Sequence, residues 1–259
     1  MQSHDHKELA PQRWDRLRAL IRESGVIGSE EICRRLEVSP ATVRRDLDQL
    51  ERVGAIRRVH GGAVSVESRL EEPLFENKTS MAAREKRRIA QAALNYVVGG
   101  ETVYLDGGST LLELARLLRE RSDITVVTNS LRAATELASR GPRLILIGGE
   151  LRRLSQTMVG PLTRHVLEGL HLDKAFMGTI GLSLKEGLTT TDPSEAYTKE
   201  LVMSQARQVI VLADSSKAGK VSFASAGDWE DVHVLITDKQ LDKDFAKELI
   251  KKDIKLVRS

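Results

Sequence analysis

The chain has 259 residues, a formal net charge of +3 and 41% hydrophobic against 30% charged residues, a composition typical of globular proteins with one large or two smaller domains. Its single cysteine, Cys33, excludes an internal disulfide. No stretch approaches the ~20 apolar residues of a membrane helix, and the first residues lack the apolar run of a secretory signal. We therefore expect a cytoplasmic protein that does not associate with membranes.

Three short helices are predicted at the start of the chain. The first covers Arg13–Ser24. Ser29 is a suitable N-cap for the second, whereas Ser39 suits the N-cap of the third and Pro40 its first helical position. The residues predicted to face inward are Trp14, Leu17, Leu20 and Ile21 in the first helix, Ile32 and Leu36 in the second, and Val43, Leu47 and Leu50 in the third.

The exposed face of the third helix carries small, hydroxyl and guanidinium side chains. Arginine can bond O6 and N7 of guanine in the major groove, and small or hydroxyl residues allow close approach. The segment AIRRVHGGAV that follows is typical of a short basic strand and a glycine turn beside the groove. Two adjacent arginines can also form a solvated helix face. Here they lie on the third of three short helices and a basic strand follows, and this order favours a winged helix-turn-helix. The candidate DNA contacts are Ser39, Ala41, Thr42, Arg44, Arg45, Arg57, Arg58, His60 and Gly61.

The run VSPATVRRDLDQLERVGAIRRVHGGAV resembles the DNA-binding signature of the DeoR family of bacterial transcriptional regulators. In that family a Val-Ser turn leads into a T-[IV]-R-R-D-L recognition helix, and an R-x-H-G-G-A wing follows. The match spans Val38–Val64 almost without a break. The resemblance implies sequence-specific binding to double-stranded operator DNA, with Thr42, Arg44 and Arg45 at the groove.

The sequence predicts two domains and a linker. Residues 1–65 form the predicted winged helix-turn-helix domain, residues 66–80 suit an exposed linker because they show no sustained period, and residues 81–259 form a predicted α/β domain. The α/β domain opens with a predicted helix over Met81–Val98. Its basic run AREKRR is either a further DNA contact or a solvated face, and we favour the solvated face.

From Glu101 onward, apolar runs alternate with helical segments. Near-continuous apolar strands separated by helices indicate a mostly parallel sheet that is covered on both faces. The predicted strands are TVYL, ITVVT, RLILIG, KAFMGT, QVIVLA, VHVLIT and IKLV, and the predicted helices lie near 110–120, 131–140, 161–170, 194–206 and 244–251. The predicted fold is therefore α/β, with a winged helix-turn-helix in front of it.

Polar residues follow several of these strands, and the carboxyl ends of parallel strands share one edge of a sheet. Each segment alone is also compatible with an ordinary turn. The first, DGGST, combines two glycines, the hydroxyls of Ser109 and Thr110, and the start of a helix, which together suit an anion. It matches neither GxxxxGK[ST] nor GxGxxG, so we predict a monophosphate ligand and no nucleotide cofactor. Asp106 is expected to bind ligand hydroxyls, and Lys217 to supply positive charge.

Glu195 and Lys199 stand at positions i and i+4 of one predicted helix. This spacing leaves two interpretations open, a surface ion pair or a polar pair that lines the ligand pocket. No metal site is predicted, because the histidines show no ligand spacing; they include His165, His171 and His233.

The C-terminal segments DGGST, TNS, GGELRR, the E-x-x-x-K helix and ADSSK-x-G are similar to the effector domain of the DeoR family. That domain is related in fold to sugar-phosphate isomerases such as ribose-5-phosphate isomerase. The resemblance implies a phosphorylated sugar or related metabolite as a non-covalent effector. The candidate effector contacts are Asp106, Gly107, Gly108, Ser109, Thr110, Thr128, Asn129, Gly149, Glu195, Lys199 and Lys217.

We therefore expect a ligand-responsive transcriptional repressor that acts as a homo-oligomer, a dimer or tetramer, because a lone winged helix binds too weakly to select one site in a genome. The alternative is a sugar-phosphate isomerase-like enzyme with a DNA-binding domain, in which Asp106, Glu195 and Lys217 serve as acid and base groups. No second carboxylate is evident beside them, so we predict no enzymatic activity. A purely architectural DNA-binding protein would not need the polar strand ends.

Overall fold

The computed structural model describes residues 10–24, 26–52, 55–59, 62–65 and 75–259. The chain divides into two compact units between Glu71 and Glu72. None of the described helices is long and apolar enough to cross a membrane.

The N-terminal unit contains three helices and a three-stranded antiparallel sheet with the strand order β1-β3-β2. Its elements are α1 (Ala10–Ser24), β1 (Val26–Gly28), α2 (Ser29–Leu36), α3 (Pro40–Arg52), β2 (Ile56–Val59) and β3 (Gly62–Ser65). This arrangement confirms the predicted winged helix-turn-helix. Two details differ from prediction. Strand β1 was not predicted, because it is too short to show a sequence pattern. Ser29 is the first helical residue of α2, and Gly28 occupies the N-cap position predicted for Ser29.

The predicted inward faces of the three helices form the core of this unit, together with three sheet residues. These core residues are Leu17, Leu20, Ile21, Ile32, Leu36, Val43, Leu47, Leu50, Ile27, Ile56 and Ala63. Gly62 allows β3 to pass close to β1, since a Cβ there would lie 2.2 Å from the carbonyl oxygen of Ile27. This contact gives a physical reason for the second glycine of the HGGA segment.

The C-terminal unit is built around a seven-stranded parallel sheet with the order β15-β14-β12-β9-β4-β5-β6. Its helices are α4 (Phe75–Ser80), α5 (Ala83–Leu94), α6 (Ser109–Leu118), α7 (Leu131–Leu137), α8 (Arg164–Leu167), α9 (Pro193–Gln205) and α10 (Lys243–Lys251). Its strands are β4 (Thr102–Leu105), β5 (Thr125–Thr128), β6 (Arg143–Leu146), β7 (Glu150–Arg152), β8 (Thr157–Val159), β9 (Leu172–Met177), β10 (Gly181–Ser183), β11 (Gly187–Thr190), β12 (Ala206–Leu212), β13 (Ala224–Gly227), β14 (Val234–Thr237) and β15 (Lys255–Arg258).

All seven strands predicted from apolar runs belong to the central sheet, so the predicted α/β fold is confirmed. Alternate residues of each strand enter different cores, as the two-residue period of a strand requires. On β4, for example, Val103 and Leu105 pack on one side of the sheet and Tyr104 on the other. The strands that the sequence did not predict are short antiparallel additions, namely β7 with β8, and β10 with β11 and β13.

The strand order reverses between β4 and β9. From β4 the chain adds β5 and β6 on one side, and then returns to add β9, β12, β14 and β15 on the other. In an open parallel sheet, the connections that leave the carboxyl ends of the strands diverge at such a switch point and leave a crevice there. The crevice of this sheet therefore lies beside Asp106, which follows β4, and Gly178, which follows β9.

The end of the predicted linker is helical. Residues 75–80 form α4, and Phe75 is only 3% exposed. The guanidinium carbon of Arg132 lies 4.7 Å from the centroid of the Phe75 ring, a cation–π distance. An aromatic residue that packs in this way fixes the segment, whereas the charges and Pro73 suggested an exposed connector over 66–80.

Candidate functional site

The predicted DNA-binding face of α3 is exposed. Ser39 caps the helix as predicted, since its Oγ accepts a hydrogen bond from the amide of Thr42 at 3.3 Å. Ala41, Arg44 and Arg45 are exposed. Within the described part of the chain, neither arginine forms an ion pair, and both guanidinium groups are therefore available for a nucleic acid.

In the wing, the side chain of Arg58 is bonded to α3. Its guanidinium forms an ion pair with Asp48 of α3, and its amide donates to Glu51 at 2.9 Å. These bonds hold β2 against α3 and engage the side chain that was predicted to contact the DNA backbone. The backbone of Arg57 lies in β2, but its side chain is outside the described residues, as are His60 and Gly61.

Asp46 is a buried carboxylate that joins α3 to α1. Its oxygens accept hydrogen bonds from Nε of Arg13 at 2.6 Å and from Nε1 of Trp14 at 2.8 Å. Burial raises the pKa of Asp46, but the hydrogen bonds from Arg13 and Trp14 and the charges of Arg13 and Arg45 outweigh it and leave the pKa below its ordinary value. The aspartate of the VRRDL motif therefore fixes the orientation of α3.

A polar cavity occupies the crevice at the carboxyl ends of the strands of the C-terminal unit. It brings together most of the predicted effector contacts, which come from the loops after β4, β5 and β12 and from α9. The predicted residues that line it are Asp106, Gly107, Gly108, Ser109, Thr110, Asn129, Glu195, Lys199 and Lys217.

Asp106 and Lys199 form a buried ion pair in this cavity. The ammonium of Lys199 donates to Oδ2 of Asp106 and, at 2.9 Å, to the carbonyl oxygen of Gly178. The amide of Gly178 donates to the same carboxylate oxygen at 2.9 Å. These bonds join the ends of β4 and β9 to α9 and fix the switch point of the sheet.

Glu195 points to different partners from Lys199, although both are 7% exposed. Its Oε2 accepts a hydrogen bond from Thr190 at 2.8 Å, and its Oε1 from Thr157 at 3.3 Å and from Arg152 at 3.4 Å. The interpretation of the two residues as a surface ion pair is therefore wrong. They are separate parts of the cavity wall.

The DGGST loop leaves the start of α6 open. Gly108 is the N-cap with a φ of 146°, which only glycine adopts readily, and it makes no side-chain capping bond. The first amides of a helix lack internal acceptors, so they remain available to an anion. Ser109 and Thr110 follow directly and also line the cavity.

Two predicted contacts, Thr128 and Gly149, do not line the cavity. The Thr128 hydroxyl donates to the carbonyl of Leu105 at 2.7 Å and accepts from the amide of Ser130 at 3.1 Å, so it braces the loop from within. Gly149 is a packing position, because a Cβ there would lie 3.0 Å from the carbonyl oxygen of Val159.

Asn129 offers the cavity an unused acceptor. Its Nδ2 donates to the carbonyl of Met158 at 3.0 Å, which fixes the amide. Its Oδ1 is buried and finds no hydrogen-bond partner among the described residues. A buried acceptor without a partner is costly, and a ligand hydroxyl would satisfy it.

The sequence analysis missed several residues of the cavity wall. Phe75 and Lys78 belong to the predicted linker, and Thr157 and Thr190 lie on the short strands β8 and β11. No pattern of the sequence indicated that these strands reach the cavity.

Lys86 is the most informative of the missed residues. It belongs to the basic run that was interpreted as a solvated face, yet it is 5% exposed and lines the cavity. Its ammonium donates to the carbonyls of Lys78 and Met81. Burial lowers the pKa of Lys86 to about 8; the charge of Asp214 raises it in part, and the charges of Lys217 and Lys78 lower it further. Its position three residues before the buried Ile89 was a signal that could have placed it inside.

Comparison with known proteins covers both units. Residues 13–69 match the model of the DeoR-like helix-turn-helix domain, and residues 81–239 match that of the DeoR C terminal sensor domain. The HTH-type transcriptional regulator GlpR of Haloferax volcanii is 38% identical over 93% of this chain and 94% of its own. The lactose phosphotransferase system repressor of Streptococcus mutans is 36% identical over 91% of this chain and 95% of its own.

Among solved structures, a D-ribose-5-phosphate isomerase in complex with phospho-erythronic acid aligns with 52% of this chain and 54% of its own, at 19% identity and a TM-score of 0.40.

Proposed function

Since this chain belongs to the DeoR family of transcriptional regulators, we propose that it is a repressor whose operator affinity is controlled by a phosphorylated sugar or related metabolite. The N-terminal domain binds double-stranded operator DNA. The effector binds in the cavity of the C-terminal domain. The name of the Streptococcus mutans relative, a repressor of a sugar phosphotransferase system, supports this proposal.

The observation that carries the proposal is the composition of the cavity, which combines a set of anion-binding groups with a set of hydroxyl-binding groups. The anion-binding set comprises the open start of α6 and the side chains of Lys78, Lys86 and Lys217. A phosphate carries close to two negative charges at neutral pH and accepts several hydrogen bonds, which suits amides and ammonium groups together.

The hydroxyl-binding set consists of acceptors that a sugar can satisfy. Oδ1 of Asn129 is buried without a partner among the described residues. The Asp106 carboxylate retains lone pairs beyond those used by Lys199 and Gly178, because an ionised carboxylate has about four acceptor sites. A ligand with a phosphate at one end and hydroxyl groups along its chain matches both sets of groups.

We propose a sensor and not a sugar-phosphate isomerase. The carboxylates of the cavity are tied to the protein, Asp106 by Lys199 and Glu195 by Thr157 and Thr190, which suits groups that shape a binding site. The curated relatives are named transcriptional regulators or repressors, which supports the same conclusion.

We also propose that the repressor acts as a homo-oligomer. A single winged helix buries little surface on DNA and gains limited specificity, whereas two copies on one operator multiply the discrimination.

The test starts from DNA selected by the full-length protein out of a random double-stranded pool. The affinity for the selected DNA is then measured at constant salt, because phosphate contacts make it salt-dependent. A panel of sugar phosphates is compared with the same sugars without phosphate. At least one phosphorylated member should change the affinity by about 5–150-fold, the usual range of allosteric coupling.

Two results would contradict the proposal. If DNA is selected but no sugar phosphate changes its affinity, the effector assignment is wrong. If the NMR spectrum of a sugar phosphate shows steady conversion by the protein, the isomerase alternative is correct.

A further inference from the structure

The ligand cavity is completed by a segment that belongs to neither matched family domain. The two domain models cover residues 13–69 and 81–239. Helix α4 lies between them in the chain, and its Phe75 and Lys78 line the cavity. The residues that join the two units, 66–74, lead directly into α4. A ligand in this cavity therefore meets the first described element after the DNA-binding unit.

Helix α4 depends on its contacts with the rest of the C-terminal unit. Six residues are too few for a helix to be stable in water by itself. The ring of Phe75 packs beneath the guanidinium of Arg132, whose Nε donates to Gln156 at 2.8 Å. The position of α4 is thus set by side-chain contacts that a ligand can strengthen or weaken.

The end of α4 is held by a side chain that also lines the ligand cavity. The ammonium of Lys86 donates to the carbonyl of Lys78 within α4 and to that of Met81 just after it. Cations near the C-terminus of a helix satisfy its unpaired carbonyls. An ammonium has three N–H groups, and these carbonyls use two of them among the described residues, so one remains for a ligand anion.

We propose that α4 is part of the effector site and is the element that passes ligand occupancy on to the DNA-binding unit. A phosphate group binds between the side chains of Lys78 and Lys86. It thereby fixes α4 on the C-terminal unit. This inference rests on the proposed function of the cavity as an effector site.

The first experiment measures hydrogen–deuterium exchange of the full-length protein with and without inorganic phosphate, and then with the sugar phosphates of the panel. Exchange should slow at residues 106–112, which report binding, and also at 75–82, which report α4. Protection at 106–112 without protection at 75–82 would overturn the role of α4 while leaving the effector site intact. Protection at neither segment, with any member of the panel, would overturn both assignments.

The second experiment compares Phe75→Ala with Asn77→Ala, a control at an exposed position of the same helix. Phe75→Ala should still bind sugar phosphate in calorimetry, with at most about a tenfold loss, but its DNA affinity should no longer respond. Asn77→Ala should respond like the wild type. If Phe75→Ala fails to fold by circular dichroism, Arg132→Met removes the cation that packs on the Phe75 ring and should uncouple in the same way. A full response in the folded variant would overturn the proposal.

Discussion

At Gly107, the space for a side chain is already occupied. A Cβ there would lie 2.1 Å from Cγ2 of Thr157, closer than real Cβ contacts come. Thr157 in turn donates to Glu195 and exchanges a hydrogen bond with Ser155 at 2.8 Å. The absent side chain of Gly107 therefore lets the loop after β4 approach the buried polar network around Glu195.

Gly107→Ala should displace Thr157 from Glu195 and lower the affinity for the effector by about tenfold or more, the effect of losing one to two buried hydrogen bonds. Adding Thr157→Ser removes the clashing methyl group and keeps the hydroxyl. Calorimetry with the effector should therefore show recovery in the double variant. Equal losses in the single and double variants would mean that the methyl contact is not the cause.

Lys86 should make effector binding depend on pH in a range where phosphate itself no longer titrates. With the pKa of Lys86 near 8, the ammonium is lost as the pH rises above that value. Lys78, Lys217, Asp214 and Glu113 are the charged groups that act on it. An anion stabilises the charged form, so affinity should be highest below pH 8 and fall about fivefold between pH 8 and 9.

The control for this pH dependence is Lys86→Met. It should bind the effector more weakly at pH 7 and should lack the decline between pH 8 and 9. Retention of the same decline in the variant would assign the titration to another group. In the protein without ligand, a rise in pH has the opposite effect and stabilises the folded state. The unfolded chain binds more protons between about pH 8 and 10.5, so the free energy of unfolding should rise with pH in that window.

At the scale of elements, α3 makes two separate contributions, one inward and one outward. The inward one is the buried pair of Asp46 with Arg13. Asp46→Asn should lower the free energy of unfolding of the N-terminal unit by about 3 kcal/mol, because removing one member of a buried pair leaves the other charge unpaired. Urea unfolding at pH 7 measures this loss. A change below about 0.5 kcal/mol would show that the pair does not hold α3.

The pH dependence of this contribution follows from the lowered pKa of Asp46. A carboxylate whose pKa is depressed by folding stabilises the native state above its unfolded value, and the stabilisation is lost as the pH falls through the folded value. The difference between wild type and Asp46→Asn should therefore shrink in acid. A difference that stays constant as the pH falls through this range would contradict the assignment.

The outward contribution that we propose for α3 is DNA recognition. Arg45→Ala should cost about 1–3 kcal/mol of operator affinity and relax the sequence preference at one base position, if Arg45 bonds a guanine. Arg18→Ala, which removes an exposed arginine of α1 paired with Asp15, is the matched control for charge. Equal weakening on all DNA sequences would show that Arg45 contacts only phosphate.

The main elements of the fold could be predicted because their sequence patterns are strong. Long apolar runs marked the seven strands of the central sheet, and Ser39 with Pro40 marked the start of α3. Strands β8 (TMV) and β11 (GLTT) contain threonine and glycine in place of a continuous apolar run, so no apolar run marks them. Helix α4 was not predicted, because a single buried aromatic residue, Phe75, holds it in place. Its sequence shows no periodic apolar pattern.

For the whole molecule, the sequence predicted which strand ends would gather but not how their side chains would pair. Because the carboxyl ends of parallel strands share one edge of a sheet, the sequence was enough to place Asp106 and Asn129 at the same edge. It could not show that Lys199 neutralises Asp106, since the pair is 93 residues apart in the chain. Nor could it show that Lys86 turns inward, because a basic run on a helix is usually solvated.

At the scale of the whole molecule, the proposed function links two binding sites of one chain. If an effector in the cavity changes operator affinity by some factor, operator DNA must change effector affinity by the same factor. This reciprocity does not depend on whether the effector releases or strengthens DNA binding. A reciprocal change in affinity also distinguishes a sensor from a protein whose two units bind their ligands independently.

The most direct measurement is therefore the calorimetric affinity of the full-length protein for its sugar phosphate, once free and once saturated with the selected operator DNA at the same salt and pH. We predict that the two affinities differ, by the factor found when DNA binding is measured with and without the sugar phosphate. Equal affinities for the free and the DNA-bound protein would contradict the account.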